Sequence, residues 1–149
     1  MILSFVFAFF STLGFCILFH VPIRHIIPAS FVGGSGWLIY TYLTSTGSHK
    51  ILACFVGACG VAILSDIFSR TFKDASTIFI IPGILPLVPG AGMYYTMLAI
   101  LDGDLEKLAV VGTETIFMAG AIAVGLLVVA SIARIVTNIL KNISLLRQS

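Results

Sequence analysis

The chain has 149 residues, 59% of them hydrophobic and only 9% charged, with a formal net charge of +2. So little charge cannot solvate a globule of this size, which excludes a soluble enzyme or a nucleic-acid-binding domain and reads as a membrane protein. Five apolar stretches follow in order, residues 2–21, 26–43, 51–68, 77–101 and 110–133. Each reaches or approaches the ~20 residues a helix needs to cross ~30 Å of hydrocarbon.

Backbone groups in lipid must be satisfied within the segment, and runs this long without polar alternation suit helices better than barrel strands. The expected fold class is therefore all-α. One transmembrane domain fills residues 1–149, a polytopic bundle of about five helices with the fourth broken by Pro and Gly, followed by an amphipathic cytoplasmic tail over 134–149.

The first stretch lacks the basic start and the A-x-A-like site of a signal peptide, and its apolar run is too long for one. Phe15 before Cys16 also does not suit a lipoprotein cleavage site. It is expected to stay as a transmembrane helix. In the second stretch "GGSG", Gly33 to Gly36, matches the G-x-S-G around an intramembrane protease nucleophile. Such a serine needs a base from another helix, and His20, His25 and His49 all fall at helix ends or in loops. The glycines are better read as close-packing positions, like Ala53 with Gly57 and Ala121 with Gly125. His25 beside Arg24 and His49 beside Lys50 read as interfacial. Cys16, Cys54 and Cys59 lie in apolar stretches without CxxC spacing or a neighbouring His, so no metal, disulfide or cofactor is expected.

At the end of the third stretch Asp66 and Arg70 lie four apart, so they share a helix face and can pair. They are candidates for a gating or proton-coupling pair, against the alternative of an ordinary ion pair near the cytoplasmic surface.

The fourth stretch contains "IPGILPLVPGAGMYYTM", Ile81 to Met97. Pro82, Pro86 and Pro89 each lack an amide hydrogen, and Gly83, Gly90 and Gly92 add backbone freedom, so the helix should break near the bilayer midplane. Irregular backbone at that depth is tolerated only inside protein or along a watery cavity, and a Pro/Gly-interrupted span points to a transporter's solute site. The restarting half-helix would offer the amides of Gly90, Ala91 and Gly92 to a carboxylate, with Tyr94 and Thr96 supplying hydroxyls beside them. The bland alternative is a proline-kinked helix whose gap is filled by neighbours.

"DGDLEK", Asp102 to Lys107, then reads as a solvated loop with an N-cap at Asp102 or Asp104. Glu114, near the start of the fifth stretch, has no partner close in sequence and is a secondary candidate for proton coupling, against the alternative of a side chain that simply snorkels to the nearby surface. The tail, with Arg134, Lys141 and Arg147, is expected to lie along anionic lipid or against a partner.

With five crossings, Arg24, Arg70, Lys73, Arg134, Lys141 and Arg147 fall on one side and only Lys50 and Lys107 on the other. Were 77–101 re-entrant, the division would be even. The positive-inside rule favours five crossings with the amino terminus outside.

"IPGILPLVPGAGMYYTM", preceded by "SDIFSR" and "ASTIF", resembles the core signature of the threonine/serine exporter family over nearly the whole chain. The resemblance is to the short, YjjB-like form, equivalent to the carboxyl-terminal half of full-length exporters. It implies a bacterial inner-membrane subunit that works with a second membrane chain carrying the other, YjjP-like half, with a higher oligomer as a further expectation. It also implies a small carboxylate substrate, an amino acid such as threonine or serine or a dicarboxylate such as succinate. No enzyme activity is implied. The expected function is thus one subunit of a secondary exporter with its solute site along Pro82 to Gly92, against the alternative of a non-transporting scaffold that stabilises a partner.

Overall fold

The computed structural model describes residues 1–146, with side chains described through Thr137. It is helical throughout, with six helices and no strand among the described residues: α1 (Ile2–Leu18), α2 (Ile23–Ser45), α3 (Lys50–Phe72), α4 (Thr77–Ile84), α5 (Gly90–Asp102) and α6 (Leu105–Leu146). A 3-10 turn over Leu85–Leu87 follows α4. Lys141 and Arg147, on which the reading of the tail rests, lie outside the described side chains.

Among the described residues two helices are each long and apolar enough to cross a membrane, α3 and the Leu105–Thr137 part of α6. The pair formed by α4 and α5 passes the same test when joined across its break, where the two halves meet at 54°. α1, with 17 helical residues, is shorter. α2 is long, but Arg24, His25 and its run of small and hydroxyl residues dilute its hydropathy.

Helix ends differ from those expected wherever polar residues continue a helix past its apolar core. α3 runs on to Phe72, where Lys73 takes a left-handed conformation (φ 58°) and the Asp74 amide donates back to the Ser69 carbonyl. α6 starts at Leu105, earlier than the apolar run, because Asp104 caps it: its carboxylate accepts from the Lys107 amide at 3.0 Å. Of the two caps expected, Asp104 serves. Asp102 instead closes α5, and Gly103 supplies the left-handed residue between the helices (φ 70°).

Small residues set how the helices approach. A Cβ on Gly33 would lie 2.8 Å from Thr12 Cγ2 of α1, and one on Gly36 would lie 2.4 Å from Val61 Cγ2 of α3. The "GGSG" glycines are therefore contact surface, as read from the sequence. Gly125 of α6 presses on α3, where its Cβ would stand 2.9 Å from the Phe55 carbonyl oxygen and 3.2 Å from Ala58 Cβ. The central core gathers Val32, Cys54, Ala58, Val61, Leu87 and Ile122 from α2, α3, the 3-10 turn and α6.

Three cross-contacts fix the relative direction of α3 and α6. Lys50 pairs with Glu114 at 2.9 Å, the Cys59 thiol lies 3.7 Å from the Gly125 carbonyl oxygen, and Arg70 donates to the Thr137 hydroxyl at 2.7 Å. Residue numbers rise together on both helices, so α3 and α6 run parallel. The segment between them must then return from the Phe72 end of the bundle to the Lys50 end.

Candidate functional site

The returning segment stays helical through its first proline and breaks only after Leu87, past the level of Val61 toward the Lys50 end. At the level of Val61, near the middle of α3, Gly83 is still helical and buried, and a Cβ there would lie 2.9 Å from Val32 Cγ1. Pro82 is also fully buried. Leu87 wedges between Gly36 and Gly57, reaching within 3.2 Å of where a Gly57 Cβ would stand. Gly57 is seven residues, or about 10 Å of helix rise, from Lys50. Only after Leu87 does the backbone leave the helical region: Val88 is extended (φ −61°, ψ 128°), and α5 starts after Pro89.

Pro82 and Gly83 thus serve packing, with Pro86 half-buried in the 3-10 turn. The expectation of a solute site along the whole of Pro82 to Gly92 narrows to its last residues. The Gly90 amide is engaged too, since it donates to the Val88 carbonyl at 2.8 Å. The amides of Ala91 and Gly92 remain, in the first turn of a helix that has no side-chain cap. Gly92 lies against Thr115 of α6, a buried residue that sequence reasoning passed over, and a Cβ at Gly92 would stand 2.3 Å from its hydroxyl oxygen. The Thr96 hydroxyl donates to the Gly92 carbonyl at 2.7 Å, and that of Thr115 to the Val111 carbonyl at 2.7 Å. Their lone pairs stay available to a donor. Tyr94 is 63% exposed and points away from this cluster, its ring edge-on to Tyr95 at 5.4 Å.

Glu114 sits beside this region and is not alone. Its carboxylate meets the Lys50 ammonium at 2.9 Å, a pairing across distant stretches that no local spacing announces. Both side chains are about half exposed, so the pair should add little to stability. Replacing either by alanine is expected to cost less than ~1 kcal/mol in thermal or denaturant unfolding.

At the opposite end, Asp66 and Arg70 pair as their spacing predicts, with Nε donating to the carboxylate at 2.7 Å. Arg70 also reaches across to α6, where its Nη2 donates to the Thr137 hydroxyl at 2.7 Å and contacts the Ala133 carbonyl at 3.5 Å. The pair joins two helices and so is more than an ornament of one.

A second polar cluster at this end was misread from the sequence. His25, at the bundle end beside exposed Arg24, does not face outward. It is fully buried, edge-on to both Phe72 and Phe79 at 5.2 Å, with Nε2 2.9 Å from the Asp74 carboxylate. Arg24 binds the same carboxylate at 2.8 Å. Arg24 Nε donates to His25 Nε2 at 2.9 Å while its Nη2 holds Asp74 in the loop before α4, and α4 brings Phe79 against the ring. The signal in the sequence was an acidic residue just after a helix end, with no partner on its own helix.

Among the described residues no group of His, Cys, Asp or Glu could hold a metal ion.

Comparison with known proteins places these features. The family model described as "Threonine/Serine exporter, ThrE" matches residues 4–132. An uncharacterized protein of Haemophilus influenzae is 24% identical over 128 residues, covering 80% of this chain and 43% of its own length. A probable threonine/serine exporter of Mycobacterium tuberculosis is 22% identical over 111 residues, covering 71% of this chain and 21% of its own length. The chain thus spans less than half the length of these curated relatives, and no solved structure matches it. A family match over most of the chain, on an apolar all-helical bundle, carries one conclusion: this is a membrane protein of the threonine/serine exporter family.

Proposed function

We propose that the chain is one subunit of a secondary transporter that exports small carboxylate metabolites, a threonine- or serine-like amino acid or a succinate-like dicarboxylate, across the bacterial cytoplasmic membrane. In this reading it crosses five times, with α4 and α5 together forming the fourth crossing, its amino terminus outside and its tail in the cytoplasm. The observation that carries the reading is the parallel course of α3 and α6, which requires the broken segment between them to traverse the bundle in reverse. A broken traversing segment is the feature by which secondary transporters build solute sites from main chain. The solute's carboxylate meets the Ala91 and Gly92 amides, with Thr96 and Thr115 beside it and the Lys50–Glu114 pair nearby. Asp66 and Arg70 join α3 to α6 at the cytoplasmic end, where breaking and remaking their contacts gates the path.

A second membrane chain supplies the other half. Most of α6 is uncovered, with only 11% of its apolar window buried, which suits a helix that waits for a neighbour. The test is export of radiolabelled serine and succinate from cells expressing this chain with and without a chain carrying the other half. The expected result is export of at least one solute when both are present and neither when one is missing. Full export by the second chain alone would overturn the reading and leave this chain a scaffold.

A further inference from the structure

Between α3, α4 and α6, at the Arg70 end of the bundle, lies a cleft of about 410 Å³. That is within the range of small-molecule sites and ample for an acid of a few carbons. Its polar lining is Asp66 and Arg70 of α3, Ser76 at the start of α4, and Arg134 and Thr137 of α6. On α6 the cleft is faced by positions 130, 133, 134 and 137, a single helical stripe on which Ala130 and Ala133 leave the space open.

The charges in this cleft do not balance. Two guanidinium groups stand against one carboxylate, and that carboxylate is bound to Arg70. Asp74, the acid closest in sequence, is held by Arg24 and His25. Arg134 makes no hydrogen bond or ion pair among the described residues, and neither does the Ser76 hydroxyl. Arg70 differs, since its hydrogen bonds to Asp66 and Thr137 already position it before a ligand arrives. The cleft therefore presents one positioned cation and one uncommitted cation across a space of solute size. An uncommitted guanidinium beside a fixed one is what a carboxylate needs for bidentate capture.

We propose that this cleft is a second carboxylate site, which takes the solute from the cytoplasm before it reaches the α5 amides, with Arg134 as the anchoring group and Arg70 as the fixed wall. The proposal rests on the transport reading above. Arg134 lies nineteen residues along α6 from Thr115, about 28 Å of helix rise, so the two sites stand at opposite ends of one helix. The solute binds first where water and positive charge reach it, and the exit site needs no charged side chain of its own.

The test uses inside-out vesicles from cells expressing this chain with its other half, measuring uptake of radiolabelled serine and, separately, succinate. Arg134→Gln is expected to raise the half-saturating concentration about tenfold for whichever acid is carried, the scale for a charged hydrogen bond. Arg134→Lys should recover part of the loss. Ala130→Leu, which fills the cleft without changing charge, should raise the same quantity. Lys73→Gln removes a cation from the same end but outside the cleft, and it should leave half-saturation within about twofold of wild type. If Lys73→Gln weakens uptake as much as Arg134→Gln, the effect is general surface potential and the site is refuted. Wild-type half-saturation in both Arg134→Gln and Ala130→Leu refutes it equally, while the transport reading stands. If wild-type vesicles carry neither acid, both fall together.

Discussion

Gly92→Val is expected to lower export by roughly tenfold to a hundredfold while the protein still accumulates in the membrane, and Thr115→Ala in the same chain is expected to restore part of it. The first Cβ added at Gly92 would stand 2.3 Å from the Thr115 hydroxyl oxygen and 3.3 Å from Thr115 Cβ and Cγ2. The three nearest atoms all belong to the Thr115 side chain, so α5 moves off α6 by a fraction of an ångström to an ångström, and displacements of that size cost binding sites one to two orders of magnitude. Removing the hydroxyl and methyl of Thr115 returns the space. Gly90→Val is the complementary change. Nothing lies within 4 Å of a Cβ at Gly90, so the substitution leaves packing intact and acts only by placing bulk beside the Ala91 and Gly92 amides. Export should fall with no loss of thermal stability. Wild-type export by a well-expressed Gly90→Val protein would remove the amides from the solute path.

Gly125→Val is expected to act on the fold itself. Here the obstructing atom is backbone, the Phe55 carbonyl oxygen at 2.9 Å, with Ala58 Cβ at 3.2 Å and the Cys59 sulfur at 3.4 Å. No rotamer change relieves a contact with main chain, so α3 and α6 must separate along the contact that aligns Lys50 with Glu114 and Arg70 with Thr137. A cost of about 1–3 kcal/mol or more is the scale for overpacking of this kind. Gly120→Val, about one and a half turns earlier on the same helix, adds a Cβ that meets nothing within 4 Å and is the matched control. The measurement is the midpoint of thermal unfolding in detergent. Equal midpoints for the two variants would mean that the α3–α6 contact is looser than described.

The comparison of sequence with structure divides along the range of the forces involved. Features set within one turn of chain were legible: the apolar stretches, the Asp66–Arg70 spacing, the glycine and alanine contact positions, and the presence of a break somewhere between Pro82 and Gly92. What the sequence could not give was which of the prolines ends the helix. Three prolines at Pro82, Pro86 and Pro89 look equivalent on paper. Yet Pro82 sits inside an intact helical turn, because the neighbouring Gly83 lets Val32 approach and the lost hydrogen bond is offset by burial. Long-range pairing was equally hidden. Nothing near Glu114 names Lys50, and nothing near His25 names Phe79, so one looked solitary and the other looked interfacial. Of the candidate solute residues, Gly92 packs against Thr115, Thr96 bonds to the Gly92 carbonyl and Ala91 shares their turn. Pro82, Gly83 and Pro86 do not join them, and Tyr94 faces outward.

The length of α6 has a mechanical consequence. Its 42 residues make a rod of about 63 Å, roughly twice the thickness of a bilayer's hydrocarbon core. Pivoted where Gly125 bears on α3, the arm toward Leu146 measures about 32 Å, so a tilt of roughly 10° swings its tip by about 5 Å. A small rocking that widens or narrows the space beside Arg134 is thereby magnified into a stroke large enough to be felt beyond the lipid.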